Sequence, residues 1–447
     1  MEFYGFVHFG LYTFAPGTEG QNGPEVFLPK KFDPHQWVRA FKSAGMSGLL
    51  LTCKHHEGFC LWPIRYTDFS VKNSPWKDGK GDVVREVSDA CREEGLKFGV
   101  YLSPWDMHES TYGTEAYNDY FRNQLEELLT NYGDVFCVWF DGACRAKKKK
   151  QLYDWESYYA LIRRLQPEAC VCICGPDVRW CGNEAGECRD AEWSVVPREI
   201  LKAEQDAEYW RSIDTVPNAT WKDLGSREFI RDRSDLIWYP AEVDASIRPS
   251  WGHVPGEDKK LHSLETLMRM YERSVGGNAN LLLNVPPNPD GLFDDADVVR
   301  LAEMGGAIRG MLEHPQTEDA SAVSEDTAAG SDASAVLDAR RERYWQSKND
   351  SVQPQIEIHF PCIRTVNLAV LQETIETGQH IEGFRIEVKQ GGGWTPVYTG
   401  QTVGYKKICR FPDSRTNAVR IAVTRSRGFA TLTNVGLYRA DGLPPHA

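Results

Sequence analysis

No apolar run in the chain approaches the roughly 20 residues that a membrane-spanning helix needs. The opening M-E-F-Y-G-F-V-H has neither a basic start nor a small-residue cleavage site, so it is not a signal peptide. A soluble chain is therefore expected, cytoplasmic as it stands, and periplasmic or secreted if the start is processed. Positive charge is also short: 51 basic against 64 acidic side chains leave a net charge of −13. Nucleic-acid backbones and anionic membranes are repelled on average by such a chain, which excludes them as partners and favours neutral small molecules or glycans. No strand-like run is followed by G-x-G-x-x-G, which argues against a dinucleotide fold, and neither heptads nor an internal repeat occur. The K-K-K-K run at 147 to 150 lacks interleaved aromatics and is read as a solvated loop.

Cysteine is not scarce, with 12 in 447 residues, but the spacing lacks a zinc knuckle. Cys53, Cys137, Cys170, Cys172 and Cys174 fall in apolar runs, where a free thiol behaves as a small buried hydrophobe. In C-V-C-I-C the period of two places the three thiols on one strand face. Reduced, packed thiols and no metal are expected.

Up to about residue 310 a short apolar run, a polar loop and an amphipathic stretch recur. The runs are F-Y-G-F-V-H-F-G, G-L-L-L-T-C-K-H-H, K-F-G-V-Y-L-S-P-W, V-F-C-V-W-F-D-G, A-C-V-C-I-C-G-P-D, W-Y-P-A-E-V-D and N-A-N-L-L-L-N-V-P-P. Helical segments such as H-Q-W-V-R-A-F-K-S-A-G and D-V-V-R-E-V-S-D-A-C-R-E-E-G-L close at glycine, as helix ends often do. Strands alternating with helices imply parallel pairing, and seven or eight units suit a (β/α) barrel, TIM-like and possibly irregular. Residues 1–312 are assigned to it. From 313 to 447 the composition turns first small and acidic, like a linker, then into short alternating runs, which predict an all-β sandwich.

Nearly every barrel run ends in chemistry: His8, His55 and His56, Trp105, Asp141, Asp177, Glu242 and Asn284 sit at or just past successive carboxyl ends. Those ends form one rim, where a barrel builds its active site. Asp141 in W-F-D-G-A is the first candidate. Glycoside hydrolysis needs a second carboxyl, and residues 175 to 194 offer several, of which Glu184 lies between two glycines near Trp180. Glu242 competes with it, or serves as a structural or hydroxyl-binding carboxylate. His8, His55 and Asp141 could converge on a metal, although adjacent histidines on a strand point to opposite sides. Tryptophans near the rim, Trp139, Trp180 and Trp251 among them, suit stacking on sugar C–H faces.

These stretches, with Y-T-D-F-S-V-K-N-S-P-W, G-P-D-V-R-W-C-G-N-E-A-G, P-A-E-V-D-A-S-I-R-P-S-W and S-V-G-G-N-A-N-L-L-L-N-V-P-P, resemble the retaining α-L-fucosidases of glycoside hydrolase family twenty-nine from residue 3 to about 310. The G-N-E-A-G loop and P-A-E-V-D-A-S-I-R-P resemble the subfamily acting on α-1,3- or α-1,4-linked fucose of branched, Lewis-type glycans. The resemblance implies Asp141 as nucleophile, Glu184 as acid/base, and His8, His55 and His56 as fucose hydroxyl ligands, with Tyr101, Trp139 and Trp180 as further carry-overs. It implies no cofactor. The segment A-V-L-D-A-R-R-E-R-Y-W-Q-S resembles the discoidin-type sandwich behind many such barrels, expected to brace the barrel or to bind carbohydrate. The family's sequences usually carry more chain before the first strand, so a truncated or processed start is expected at Met1. Two other readings stand beside this one: a metal-dependent barrel hydrolase, and a glycan-binding protein without turnover.

Overall fold

A computed structural model describes residues 1–17, 20–142, 150–205, 217–338 and 342–440. Lys147 to Lys149 of the lysine run, and Ala339 to Arg341 of the A-V-L-D-A-R-R-E-R-Y-W-Q-S segment, lie outside the described residues.

Seven of the eight barrel strands coincide with the apolar runs: β1 (Phe3–Val7), β2 (Gly48–Lys54), β3 (Lys97–Leu102), β4 (Cys137–Trp139), β5 (Cys170–Cys172), β9 (Ala241–Ser246) and β10 (Ala279–Asn284). The eighth, β6 (Arg179–Trp180), has two residues and no apolar run to announce it. All pair in parallel in the order β5-β4-β3-β2-β1-β10-β9-β6, and a single bridge from Cys172 to Val178 joins the two edges into a nearly closed barrel. Every residue of β2 is buried, as expected of a strand covered on both faces. An antiparallel pair, β7 (Val195–Pro197) and β8 (Leu236–Trp238), lies outside the barrel.

The helices form where capping and amphipathicity agree. Asp33 caps Pro34–Ser43 by accepting from the His35 and Gln36 amides, and Trp37 and Phe41 supply its buried face. Asp82 caps Val83–Glu94 through the Arg85 amide, and Gly95 ends that helix with φ +74°, a conformation glycine adopts without strain.

The C-terminal sandwich is built on two long antiparallel strands, Gln355–Gln372 and Lys407–Ser426. The acidic stretch after the last barrel helix, Asp295–Leu312, is not wholly linker: Ser321–Val323 pairs with residues 357 to 359 as an edge strand. Its polar composition hid it, since an edge strand need not be apolar.

Two kinds of contact weld sandwich to barrel. Leu368, Val370 and Ile408 belong to the same apolar cluster as the barrel core. Beside them Arg410 makes a two-pronged pair with Glu272 of the barrel helix Leu264–Ser274, both bonds 2.7 Å long and both side chains at most 5% exposed. Removing one partner strands the other charge out of water. Arg410→Met is therefore expected to destabilise the protein by about 3 kcal/mol, against a smaller loss in the Arg410→Met/Glu272→Met double variant. Denaturant midpoints of the three proteins check this, and an additive double variant would contradict it.

Candidate active site

A cavity of about 390 Å³ opens at the carboxyl ends of the barrel strands, lined among others by His8, His55, His56, Asp141, Trp180 and Glu184. Its floor is aromatic. Phe6 is 1% exposed and its ring centroid lies 4.4 Å from that of His8 and 5.4 Å from that of Trp139. Strand β1 thus ends by handing an apolar interior over to an imidazole.

The tautomer of His8 can be read from its partners. Asn284 donates its amide N–H to the Trp251 carbonyl (2.8 Å) and to Ser246 Oγ (2.9 Å), so Asn284 Oδ1 must be the acceptor. It takes the proton of His8 Nδ1 at 2.8 Å, which leaves Nε2 of the neutral ring as a lone-pair acceptor. Burial pushes the His8 pKa down to about 4, against smaller opposing effects of Asn284 and Asp141. Burial, followed by the neighbouring His56 and His8, holds His55 well below the usual histidine range. Both rings are uncharged hydrogen-bonding groups at neutral pH.

His55 and His56 do not point to opposite sides. Strand β2 ends at Lys54, so the alternation of a strand no longer governs them, and their ring centroids lie 4.2 Å apart on the cavity wall. His56 Nδ1 meets Ser103 Oγ at 2.8 Å, and its Nε2 stands 3.6 Å from Asp141 Oδ2. Nitrogens of His55 and His56 and an oxygen of Asp141 fall within 4.8 Å of one another, a group able to hold a metal ion. The trio expected from the sequence had His8 where the structure has His56. The preceding Lys54 is buried and paired with Asp106 at 2.9 Å, which ties the end of β2 to the loop after β3.

Asp141 follows β4 and is half-buried. The Tyr101 hydroxyl donates to its Oδ2 at 2.8 Å. Burial and the charge of Asp141 raise the Tyr101 pKa well above 10, so the phenol keeps its proton. Tyr101 is itself fully buried and supports the cavity from outside its lining, through Asp141 and by stacking on His55 and Trp139 with ring centroids 5.8 and 5.4 Å apart. Glu184, on the loop after β6, is exposed and accepts from the Trp251 indole N–H at 3.1 Å. Asp141 and Glu184, 43 residues apart in sequence (184 − 141), line one cavity.

Two rim expectations are corrected. Asp177 turns back along β5, accepting from the Val171 amide at 2.7 Å and pairing with Arg163, so it is a structural acid. Glu242 stands at the start of β9, not its end, and is fully buried. Its carboxyl receives Trp139 Nε1 at 2.6 Å, Asn280 Nδ2 at 2.7 Å and the Tyr4 hydroxyl. It fixes the Trp139 indole from below and does not line the cavity. The missed acid is Asp244, two residues on, which lines the cavity and accepts from Trp180 Nε1 at 2.8 Å. The signal was Pro240: proline in a sheet favours a strand's first position or its edge, so the strand could start only near Ala241 and its carboxyl end had to lie beyond Glu242. A second unforeseen acid, Glu204 of the helix Glu199–Gln205, also lines the cavity, accepts from Tyr239 Oη at 2.7 Å and is raised by burial to about 7.

The thiols are free among the described residues, with Cys137 and Cys172 Sγ 3.3 Å apart. The three thiols of C-V-C-I-C do not share one strand face: Ile173 and Cys174 take φ of +51° and +53°, end β5, and turn Cys174 into the cavity wall.

The depressed pKa of His8 has a consequence for stability. The unfolded chain takes up the proton first, so the stability contributed by the neutral ring is full above pH 6.5 and is lost as pH falls through about 4. The stability difference between wild type and the non-titrating His8→Gln variant is expected to shrink by up to about 3 kcal/mol from pH 7 to pH 4. Urea unfolding at the two pH values measures it; an unchanged difference would contradict a buried neutral His8.

Comparison with known proteins bears on the whole chain. The family model described as Alpha-L-fucosidase matches residues 4–309. The chain is 36% identical over 445 residues to Alpha-L-fucosidase 1 of Arabidopsis thaliana, covering 97% of this chain and 84% of that protein. A crystal structure of a putative alpha-L-fucosidase from Bacteroides ovatus superposes with a TM-score of 0.87 at 40% identity, over 100% of this chain and 73% of that one. A Ruminococcus gnavus GH29 fucosidase in complex with fucose superposes with a TM-score of 0.86 at 29% identity, covering 98% of this chain and 92% of that one. With the family model spanning well over half of its length, the chain belongs to the alpha-L-fucosidases, glycoside hydrolase family 29.

Proposed function

We propose that this protein is a retaining α-L-fucosidase that removes α-1,3- or α-1,4-linked fucose from branched, Lewis-type oligosaccharides, with Asp141 as nucleophile and Glu184 as acid/base. The observation that carries the reading is that these two carboxyls, distant in sequence, line one cavity together with the neutral rings of His8 and His55.

Asp141 attacks the anomeric carbon as the bond from that carbon to the glycosidic oxygen breaks, and the departing oxygen takes the proton of Glu184. Glu184, now a carboxylate, removes a proton from water. The water oxygen displaces Asp141 from the anomeric carbon, and fucose leaves with its configuration kept. The Tyr101 O–H holds Asp141 Oδ2 and shares its charge, so attack from the other oxygen needs little reorganisation. His8 offers Nε2 as an acceptor to a sugar hydroxyl, with His55 and His56 beside it. Trp180 and Trp251 give apolar faces for the sugar's C–H groups, and the Trp251 indole also orients Glu184. The linkage preference rests on the likeness of the G-N-E-A-G loop, which carries Glu184, to that subfamily.

Asp141→Ala is expected to lower fucose release from a chromogenic α-L-fucoside by at least about 1,000-fold, with little change in the denaturant midpoint, because a rim acid contributes little to packing. Activity within tenfold of wild type would remove the nucleophile assignment. Wild type is expected to release fucose faster from a Lewis-type trisaccharide than from 2′-fucosyllactose, and equal rates would remove the linkage preference.

A further inference from the structure

Strand β9 carries two acids on one face, and each grips a tryptophan. Glu242 accepts the Trp139 indole N–H deep in the barrel, and one pleat higher Asp244 accepts that of Trp180. The two differ in what lies beyond them. Glu242 is closed in by Tyr4 and Asn280, whereas Asp244 lines the cavity together with Asp141 and Glu184. With Glu204, four carboxyls thus face about 390 Å³, and none of the described residues lining it is a lysine or arginine. Burial and the like charges of Glu184 and Asp141 disfavour the ionised form of Asp244 among them.

We propose that Asp244 is a substrate-binding residue that works as an uncharged acid: Oδ1 accepts the Trp180 N–H, while the carboxyl's own proton is donated as a hydrogen bond to an oxygen of the bound monosaccharide. The proposal rests on the reading of this cavity as a fucose pocket.

Neutrality at Asp244 follows from its surroundings. It is 5% exposed, Glu184 and Asp141 face it around the cavity, Glu204 lines the same cavity from its helix, Glu242 lies one pleat below it on the strand, and the buried Cys181 thiol stands beside it after β6. Burial first, then the charges of Glu184 and Asp141, lift its pKa to about 8 against the opposing pull of the Trp180 N–H. A neutral carboxyl has what its ionised form lacks, an O–H donor. That donor complements His8 Nε2, which can only accept, so the two walls could address sugar hydroxyls of opposite sense. The contact would vanish when Asp244 ionises, and a further negative charge would then crowd the site.

The test is L-fucose binding by calorimetry between pH 5.5 and 9.5 for wild type, Asp244→Asn and Asp244→Ala, with the folded state of each checked by circular dichroism. Wild-type affinity is expected to fall above pH 8, approaching tenfold per pH unit as one proton requires. Asp244→Asn, which keeps an acceptor for Trp180 and a donor for the sugar but cannot ionise, is expected to lose that alkaline fall and to recover most of the affinity lost in Asp244→Ala at pH 6.5. An alkaline fall retained in Asp244→Asn, or Asn binding as weakly as Ala at pH 6.5, would overturn the proposal. If the alanine variant does not fold, the pH profile of the asparagine variant decides alone. Failure of wild type to bind L-fucose at any pH would instead overturn the fucose-pocket reading beneath it.

Discussion

A side chain able to carry charge inside a closed barrel must be met by donors or be neutralised, and this site is organised by that constraint. Glu242 is met by three donors, from Tyr4, Trp139 and Asn280, and so turns from a liability into the peg that fixes the Trp139 indole under the cavity. Asp141 solves the same problem by position. It stands where β4 stops and the cavity begins, with the Tyr101 hydroxyl as its buried support. The chemistry of the rim therefore depends on polar bonds one layer below it, made by residues that need never touch a sugar.

Around that frame the cavity combines aromatic rings, three histidines and four carboxyls. Burial keeps His8 and His55 neutral, so the cavity's formal charge is left to acids. Such a site binds a neutral sugar through directional hydrogen bonds and aromatic faces. At the proposed reaction centre the anionic Asp141 would serve against a transition state with cationic character.

Much of this could be read in the sequence because barrel strands declare themselves. Runs such as G-L-L-L-T-C-K are apolar from end to end since both faces are covered, and their carboxyl ends locate the rim. What stayed hidden was carried by short or mixed signals. Strand β6 has only two residues, one of them the buried Arg179, and no periodicity can be read from two. On β9 the choice between Glu242 and Asp244 turned on where the strand begins, and Pro240 held the answer. His55 and His56 defied the strand rule because they lie past the strand. Glu184 sits on an irregular loop among other acids, so its selection leaned on family resemblance. Glu204 reaches the cavity from a helix outside the repeating pattern.

The central claim is that Asp141 becomes covalently bonded to the sugar. Trapping with a 2-fluoro-fucosyl fluoride, followed by peptide mass spectrometry, tests it most directly, because the fluorine slows breakdown of the glycosyl ester and leaves the label on the nucleophile. The account predicts one fluorofucosyl group on the peptide carrying Asp141. A label on another carboxyl, Glu184, Glu204 or Asp244, would contradict it, as would product released with inverted configuration.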